Sequence, residues 1–85
     1  MSRYNLPIPQ FEHDNTLIEA TLAYGFDHVA GYFYQIYAVD EDIPVESKDS
    51  FFDSLSRGEL LERFDALKVS LPDGHRAAIA LDLPF

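Results

Sequence analysis

One stretch of the chain, residues 31–39, limits the fold more than any other. Its residues are almost all β-branched or aromatic, and Gln35 is the strongly polar one among them. Such residues favour strands, and successive side chains of a strand point to opposite faces of the sheet. One face would carry Tyr32, Tyr34, Ile36 and Ala38, and the other would carry Phe33, Gln35, Tyr37 and Val39. The stretch therefore predicts a central strand that is covered on both faces.

A partner strand is predicted directly before it, over residues 16–24. Apolar and polar residues alternate there, as they do on a half-buried strand. Asn15 as a cap and Gly25 as a stop would instead suit a helix, and that alternative stays open. A loop over residues 27–31, with glycines able to adopt positive φ at Gly25 and Gly31, would join the two strands as an antiparallel pair.

The clearest helix signal comes later in the chain. Ser56 and Glu59 have the spacing of a capping box, and Leu55 with Leu60 has that of a hydrophobic staple. A helix should therefore begin at Arg57. Apolar residues recur after it at helical spacing, so one stripe of the helix should pack on the strand pair.

Two further expectations concern this helix and the segment before it. Ser50 should begin a single turn that aims Phe51 and Phe52 at the sheet. Within the helix, Glu59 should form an i,i+4 ion pair with Arg63.

A second helix is favoured over residues 71–82, since alanines are strong helix formers, and Ser70 would cap it. The alternation of apolar residues there also suits the return strand of a hairpin, and that alternative stays open.

The expected fold class is α+β, with a small antiparallel sheet of two to three strands packed against two C-terminal helices. A chain of 85 residues suits a single domain over residues 1–85. Pro7 and Pro9 exclude regular helix near the start, so residues 1–10 are predicted to be an extended, weakly attached arm.

The composition narrows the class of protein. Fifteen acidic and six basic residues give a formal net charge of −9, and cysteine is absent. A field of this sign repels nucleic acid and anionic lipid, and the lack of cysteine excludes disulfides and cysteine-ligated zinc. No apolar run approaches the roughly 18 residues that a membrane-spanning helix needs. We expect a soluble, cytoplasmic protein that binds neither nucleic acid nor membranes directly.

Two groups of residues are candidates for a binding surface. The first, which we call the acidic belt, consists of Asp40, Glu41, Asp42, Glu46, Asp49 and Asp53. The second consists of Tyr32, Tyr34 and Tyr37, whose large amphipathic side chains are of a kind enriched at protein interfaces. We predict that both groups bind a larger protein with a basic surface. The belt as a solubility device and the tyrosines as core residues are the alternatives.

No familiar catalytic or metal-binding motif is present in the sequence. It has no His-Glu-x-x-His pattern, no phosphate-binding glycine loop and no nucleophile elbow. Asp27 and His28 are adjacent, but in a loop Asp27 is more typical of a turn acceptor and His28 of a surface residue. We predict no catalytic residues, no metal site and no cofactor, and hence a protein that is not an enzyme.

A Gly-aromatic-Asp triplet, Gly25-Phe26-Asp27, leads into the aromatic strand. In this feature the chain resembles a group of small uncharacterised proteins of bacteria and their plasmids, over a limited part of its length. It differs from them at His28 and Val29, where a basic residue and a proline would be expected. The resemblance implies no particular activity.

Taken together, these features favour a non-enzymatic binding module whose acidic, tyrosine-bearing surface occupies a basic site on a larger partner. The concrete form of this hypothesis is an inhibitor or DNA mimic from a mobile element, anti-CRISPR proteins included. Two alternatives stay open. One is a small metal-dependent hydrolase that uses His and Asp, and the other is a homodimer that pairs through a sheet edge or the tyrosine face.

Overall fold

The computed structural model describes residues 2–85. Its elements in chain order are β1 (Ser2–His13), β2 (Thr16–Asp27), β3 (Gly31–Ala38), β4 (Glu46–Asp49), α1 (Arg57–Leu67) and α2 (His75–Leu81). The chain is therefore α+β, as predicted. Neither helix among the described residues has the length and apolar character needed to cross a membrane.

The four strands form one antiparallel sheet in the order β1-β2-β3-β4. The prediction of two to three strands was wrong in this detail. β4 is only four residues long and its sequence, Glu-Ser-Lys-Asp, has no apolar alternation, so the strand signal is missing there. The strand predictions for β2 and β3 are confirmed, and burial along β3 alternates as the two-face pattern required.

The first ten residues were expected to be an extended, weakly attached arm. Met1 lies outside the described residues, and from Ser2 onward the segment belongs to β1, which pairs with β2 along its length. The register shifts between Ile8 and Phe11, next to Pro9. Prolines suit such an edge strand because they remove donors from the ladder only where pairing is interrupted or absent.

The two glycines around the β2–β3 turn serve different purposes. Gly31 has a φ of +77° as the chain enters β3, which is the conformation expected of it. Gly25 lies within β2 and has no positive φ; instead, a Cβ atom there would lie 2.1 Å from the backbone oxygen of Ser2. The close approach of β1 therefore explains Gly25, and the predicted positive φ at this position was wrong.

Both helices pack on one face of the sheet and enclose the core. The side chains buried most completely there are Tyr24, Phe64, Leu22, Ile36, Leu60 and Ile79. Helix α1 begins at Arg57, as predicted. The Ser56 Oγ accepts from the Glu59 N–H at 3.1 Å, and the Glu59 Oε1 accepts from the Ser56 N–H at 3.1 Å. The capping box is therefore confirmed, and Leu55 is buried beside Leu60 in the same core.

The opposite face of the sheet is not covered by a helix in residues 2–85, so the prediction of two covered faces was wrong. Phe33, Gln35 and Tyr37 are partly exposed on that face. Contacts with polar side chains stabilise these partly exposed residues. The Arg3 guanidinium lies 5.7 Å from the centre of the Phe33 ring, and both Arg3 and Tyr37 donate hydrogen bonds to Gln35 Oε1.

Other local expectations also require correction. Residues 50–53 form the expected turn, but Phe51 and Phe52 are 66% and 79% exposed and do not face the sheet. The turn is capped by Asp49, whose Oδ1 accepts from the Phe52 N–H at 2.6 Å, and not by Ser50. Ser50 Oγ instead donates to the backbone oxygen of Leu55 at 2.8 Å.

The second helix is present, but it is shorter than predicted. It begins at His75, after a turn in which the His75 N–H donates to the Pro72 carbonyl at 3.2 Å. Its N-cap residue is Gly74, with a φ of +85° and no side-chain cap, so the predicted cap at Ser70 was wrong. The Pro-Asp-Gly turn signal prevailed over the helix propensity of the preceding residues.

Candidate functional site

Three residues of the acidic belt lie together in the connection between β3 and β4. We call Asp40, Glu41 and Asp42 the acidic loop. Asp40 has a φ of +65°, and the Glu41 N–H donates to the Ala38 carbonyl at 3.1 Å, which turns the chain out of β3. All three side chains are exposed, and none makes a hydrogen bond or ion pair within residues 2–85. Their charges therefore face solvent, and no cation of the described residues pairs with them.

Glu46, a fourth member of the belt, belongs to a partly buried network. Arg63 on α1 donates to both of its carboxylate oxygens at 2.7 Å, and the Tyr34 hydroxyl donates to Oε2 at 2.6 Å. Burial raises the pKa of Glu46, but the hydrogen bonds from Arg63 and Tyr34 outweigh it and hold that pKa below its ordinary value. The predicted i,i+4 partner of Arg63, Glu59, is instead occupied by the capping box. Glu46 thus joins the sheet to the helix.

The last two members of the belt hold a turn together. Asp49 Oδ1 accepts from the Phe52 N–H, and Asp53 Oδ2 accepts from the Asp49 N–H at 2.9 Å. The belt is therefore divided: the acidic loop is free to meet a partner, whereas Glu46, Asp49 and Asp53 have structural bonds as well as charge.

The three candidate tyrosines do not form an exposed surface with the acidic loop. Tyr32 and Tyr34 are 8% and 2% exposed and face the helices. Their hydroxyls donate to Asp82 at 2.5 Å and to Glu46, and burial, followed by these bonds, raises the pKa of each phenol to about 12. Tyr37 lies on the opposite face of the sheet, where its hydroxyl donates to Gln35.

Exposed apolar side chains, which the sequence pattern did not mark as surface residues, lie on either side of β4. Ile43, next to the acidic loop, is 79% exposed. Phe51 and Phe52 follow β4, and their ring centres lie 4.8 Å apart at 81°. A pair of adjacent apolar residues beside a strand is normally interpreted as core, so nothing in the local pattern marked them as exposed.

The structure also forms a pocket of about 370 Å³ near the start of β3. Its lining includes Phe26, His28, Tyr32, Asp82 and Phe85. Its residues come from β1, β2, β3 and the end of the chain, and only the tertiary fold brings them together, so no local pattern marks the pocket.

The Asp27-His28 pair behaves as a turn. The backbone N–H groups of Ala30 and Val29 both donate to Asp27 Oδ1, at 3.0 and 2.7 Å, and they hold the pKa of Asp27 below its ordinary value. Asp27 is thus a turn acceptor. Among residues 2–85, no group of three or more His, Asp or Glu side chains has an arrangement suited to a metal ion.

No protein-family model matches the chain, and no curated protein or solved structure shows significant similarity to it. The arrangement of its own side chains is therefore what indicates its function.

Proposed function

We propose that this chain is a non-enzymatic, cytoplasmic protein-binding module that uses an acidic surface to occupy a basic site on a larger protein. The observation that carries the proposal is the acidic loop. Asp40, Glu41 and Asp42 are consecutive and exposed, and their charges have no ion-pair partner within residues 2–85. Three adjacent carboxylates repel one another, and a cationic surface relieves that repulsion.

The position of β4 supports the same proposal. The acidic loop and Ile43 precede this strand, and Phe51 and Phe52 follow it, so charged and apolar groups flank one edge of the sheet. Val45 and Phe51 lie six residues apart along this edge, so at about 3.4 Å per residue the two groups are separated by roughly 20 Å. Interfaces commonly combine aromatic anchors with a charged rim. We propose Phe51 and Phe52 as these anchors, in place of the buried tyrosines that were expected to bind the partner.

The finer form of the proposal is an inhibitor that imitates nucleic acid, of the kind that phages and plasmids carry, anti-CRISPR proteins included. A formal charge of −9 on 85 residues supports this form, since a basic nucleic-acid site would attract such a molecule over long range. The basic partner would then lose its nucleic acid when this protein binds.

An affinity-capture experiment tests the proposal. Immobilised wild-type protein is compared, in a lysate of the organism that carries it, with the loop variant Asp40→Asn, Glu41→Gln, Asp42→Asn. A control variant with Glu12→Gln, Glu62→Gln and Asp73→Asn removes the same number of exposed charges elsewhere.

We expect the wild type and the control variant to retain a basic protein that the loop variant does not retain. DNA or RNA should displace this basic protein competitively. Retention of the same proteins by all three baits would contradict it. Competition by nucleic acid separates the mimic from an inhibitor that binds elsewhere.

A further inference from the structure

The pocket near the start of β3 has aromatic walls. The ring centres of Phe26 and Tyr32 lie 5.2 Å apart at 72°, and those of Tyr32 and Phe85 lie 6.4 Å apart at 7°. Two rings are therefore nearly parallel and the third is close to perpendicular to them. With a volume of about 370 Å³, the pocket is large enough for a small organic group.

A carboxylate lies in the same pocket. Asp82 ends α2 with a φ of +57°, and its Oδ1 accepts the hydrogen bond from the Tyr32 hydroxyl at 2.5 Å. Its second oxygen makes no hydrogen bond within residues 2–85, and the carboxylate makes no ion pair there. Arg57, whose charge acts on Tyr32, donates to the backbone carbonyls of Ile79 and Ala80 at 3.5 and 3.0 Å and forms no ion pair with Asp82 within residues 2–85.

The hydrogen bond to Asp82 also alters the tyrosine. Burial first, and then the bond to Asp82, raise the pKa of Tyr32 to about 12, so the phenol keeps its proton at neutral pH and donates it to a negative group. A phenol that donates to a carboxylate gains electron density in its ring. The face of such a ring attracts a cation more strongly than that of an isolated phenol does.

We infer that this pocket binds an organic ammonium group, held by the rings of Phe26, Tyr32 and Phe85 and by the Asp82 carboxylate. Aromatic rings combined with a carboxylate suit a cation that is also apolar, such as a methylated ammonium. The pocket lies at the opposite end of β3 from the acidic loop, so this inference does not depend on the function proposed for the loop.

A titration followed by the aromatic resonances of the protein tests the inference. Choline chloride is compared with its neutral isostere, 3,3-dimethylbutan-1-ol, at constant ionic strength and constant pH. Choline should shift the ring signals of Phe26, Tyr32 and Phe85 in a saturable manner, with a Kd at least about twofold lower than that of the alcohol. Equal affinities, or no saturable shift with choline, would overturn the inference.

A matched pair of variants tests whether the Asp82 carboxylate contributes to binding of the ammonium group. Asp82→Asn should weaken choline binding about two- to fivefold and leave the alcohol unchanged. Asp14 is the matched control, because it also has a positive φ but lies in the β1–β2 turn, away from the pocket. Asp14→Asn should therefore change neither the affinity for choline nor that for the alcohol. If Asp82→Asn disturbs the fold, Phe26→Leu removes one ring instead and should weaken choline more than the alcohol. An unchanged ratio of the two affinities in the variant that folds would contradict the inference.

A further titration distinguishes two possible sources of the ammonium group, a free cation and a side chain of a partner protein. The peptide Gly-Lys-Gly, with its lysine either unmodified or trimethylated, is compared with choline. Tighter binding of the trimethylated peptide supports a side chain of a partner protein as the ligand, and tighter binding of choline supports a free cation. Binding of neither would overturn the inference.

Discussion

Arg63 on α1 holds Glu46 on β4 through two parallel hydrogen bonds, Nε to Oε2 and Nη2 to Oε1, each 2.7 Å long. The pair joins the shortest strand of the sheet to helix α1. A four-residue edge strand has few ladder bonds of its own, so a side-chain link of this geometry defines where β4 lies.

Glu46→Gln should lower the free energy of unfolding at neutral pH by about 0.5–1 kcal/mol, because the pair is partly exposed and solvent screens it. The effect should depend on pH. Since the folded-state pKa of Glu46 is lowered, its contribution is complete above the ordinary value of 4.5 and is lost as pH falls through the folded-state pKa. Denaturant unfolding at pH 7 and pH 3 measures this. A difference between wild type and variant that is as large at pH 3 as at pH 7 would contradict the assignment, and Glu62→Gln, an exposed change on the same helix, is the control.

Tyr34→Phe should cost more stability than Tyr37→Phe. Tyr34 is 2% exposed and donates to the Glu46 carboxylate, so removal of its hydroxyl should cost about 1–3 kcal/mol. Tyr37 donates to a neutral amide on the partly exposed face and should cost less than about 1 kcal/mol. Chemical denaturation of the two variants makes the comparison, and equal costs would show that the Glu46 network adds nothing.

Ser56→Ala should destabilise the protein by about 0.5–2 kcal/mol through loss of the α1 cap. Ser70→Ala should have little effect, because the structure does not use Ser70 to cap α2. Thermal unfolding of both variants checks this. The prediction fails if Ser56→Ala melts with the wild type or if Ser70→Ala is the more damaging change.

Phe64→Ala should cost about 3–5 kcal/mol, because the ring is completely buried and packs edge-on against Tyr24 with centres 5.1 Å apart. Phe52→Ala should cost little, since Phe52 is 79% exposed. Denaturant midpoints of the two variants give the contrast, and similar losses would mean that one of these rings is misplaced.

Local signals predicted the elements that contain them. The capping box at Ser56 and the alternation along β3 identified α1 and the central strand, because each pattern is decided by neighbours in the sequence. β4 and the partner of Arg63 were missed, since both depend on residues that lie far apart in the chain. Glu59 was the better local partner for Arg63, but its carboxylate is bound to the Ser56 N–H.

The same distinction between local and long-range signals applies to the candidate site. Exposure of the acidic loop follows from its charge and from the Pro44 that interrupts the segment, both of which are visible in the sequence. Burial of Tyr32 and Tyr34 follows from the side of the sheet that the helices cover, and alternation alone does not specify that side. The pocket around Asp82 joins residues from both ends of the chain and has no sequence signature.

The proposed function requires the acidic loop to steer this protein to a basic partner. The most direct measurement is the association rate constant with the purified, captured partner, for wild type, the loop variant and the control variant, between 0.01 and 0.15 M salt. Over that range the Debye length falls from roughly 30 Å to roughly 8 Å. We predict that the rate for wild type falls with salt, that the loop variant associates at least about tenfold more slowly at low salt, and that the control variant is affected much less. Unchanged kinetics in the loop variant, together with a wild-type rate that is flat with salt, would contradict the claim.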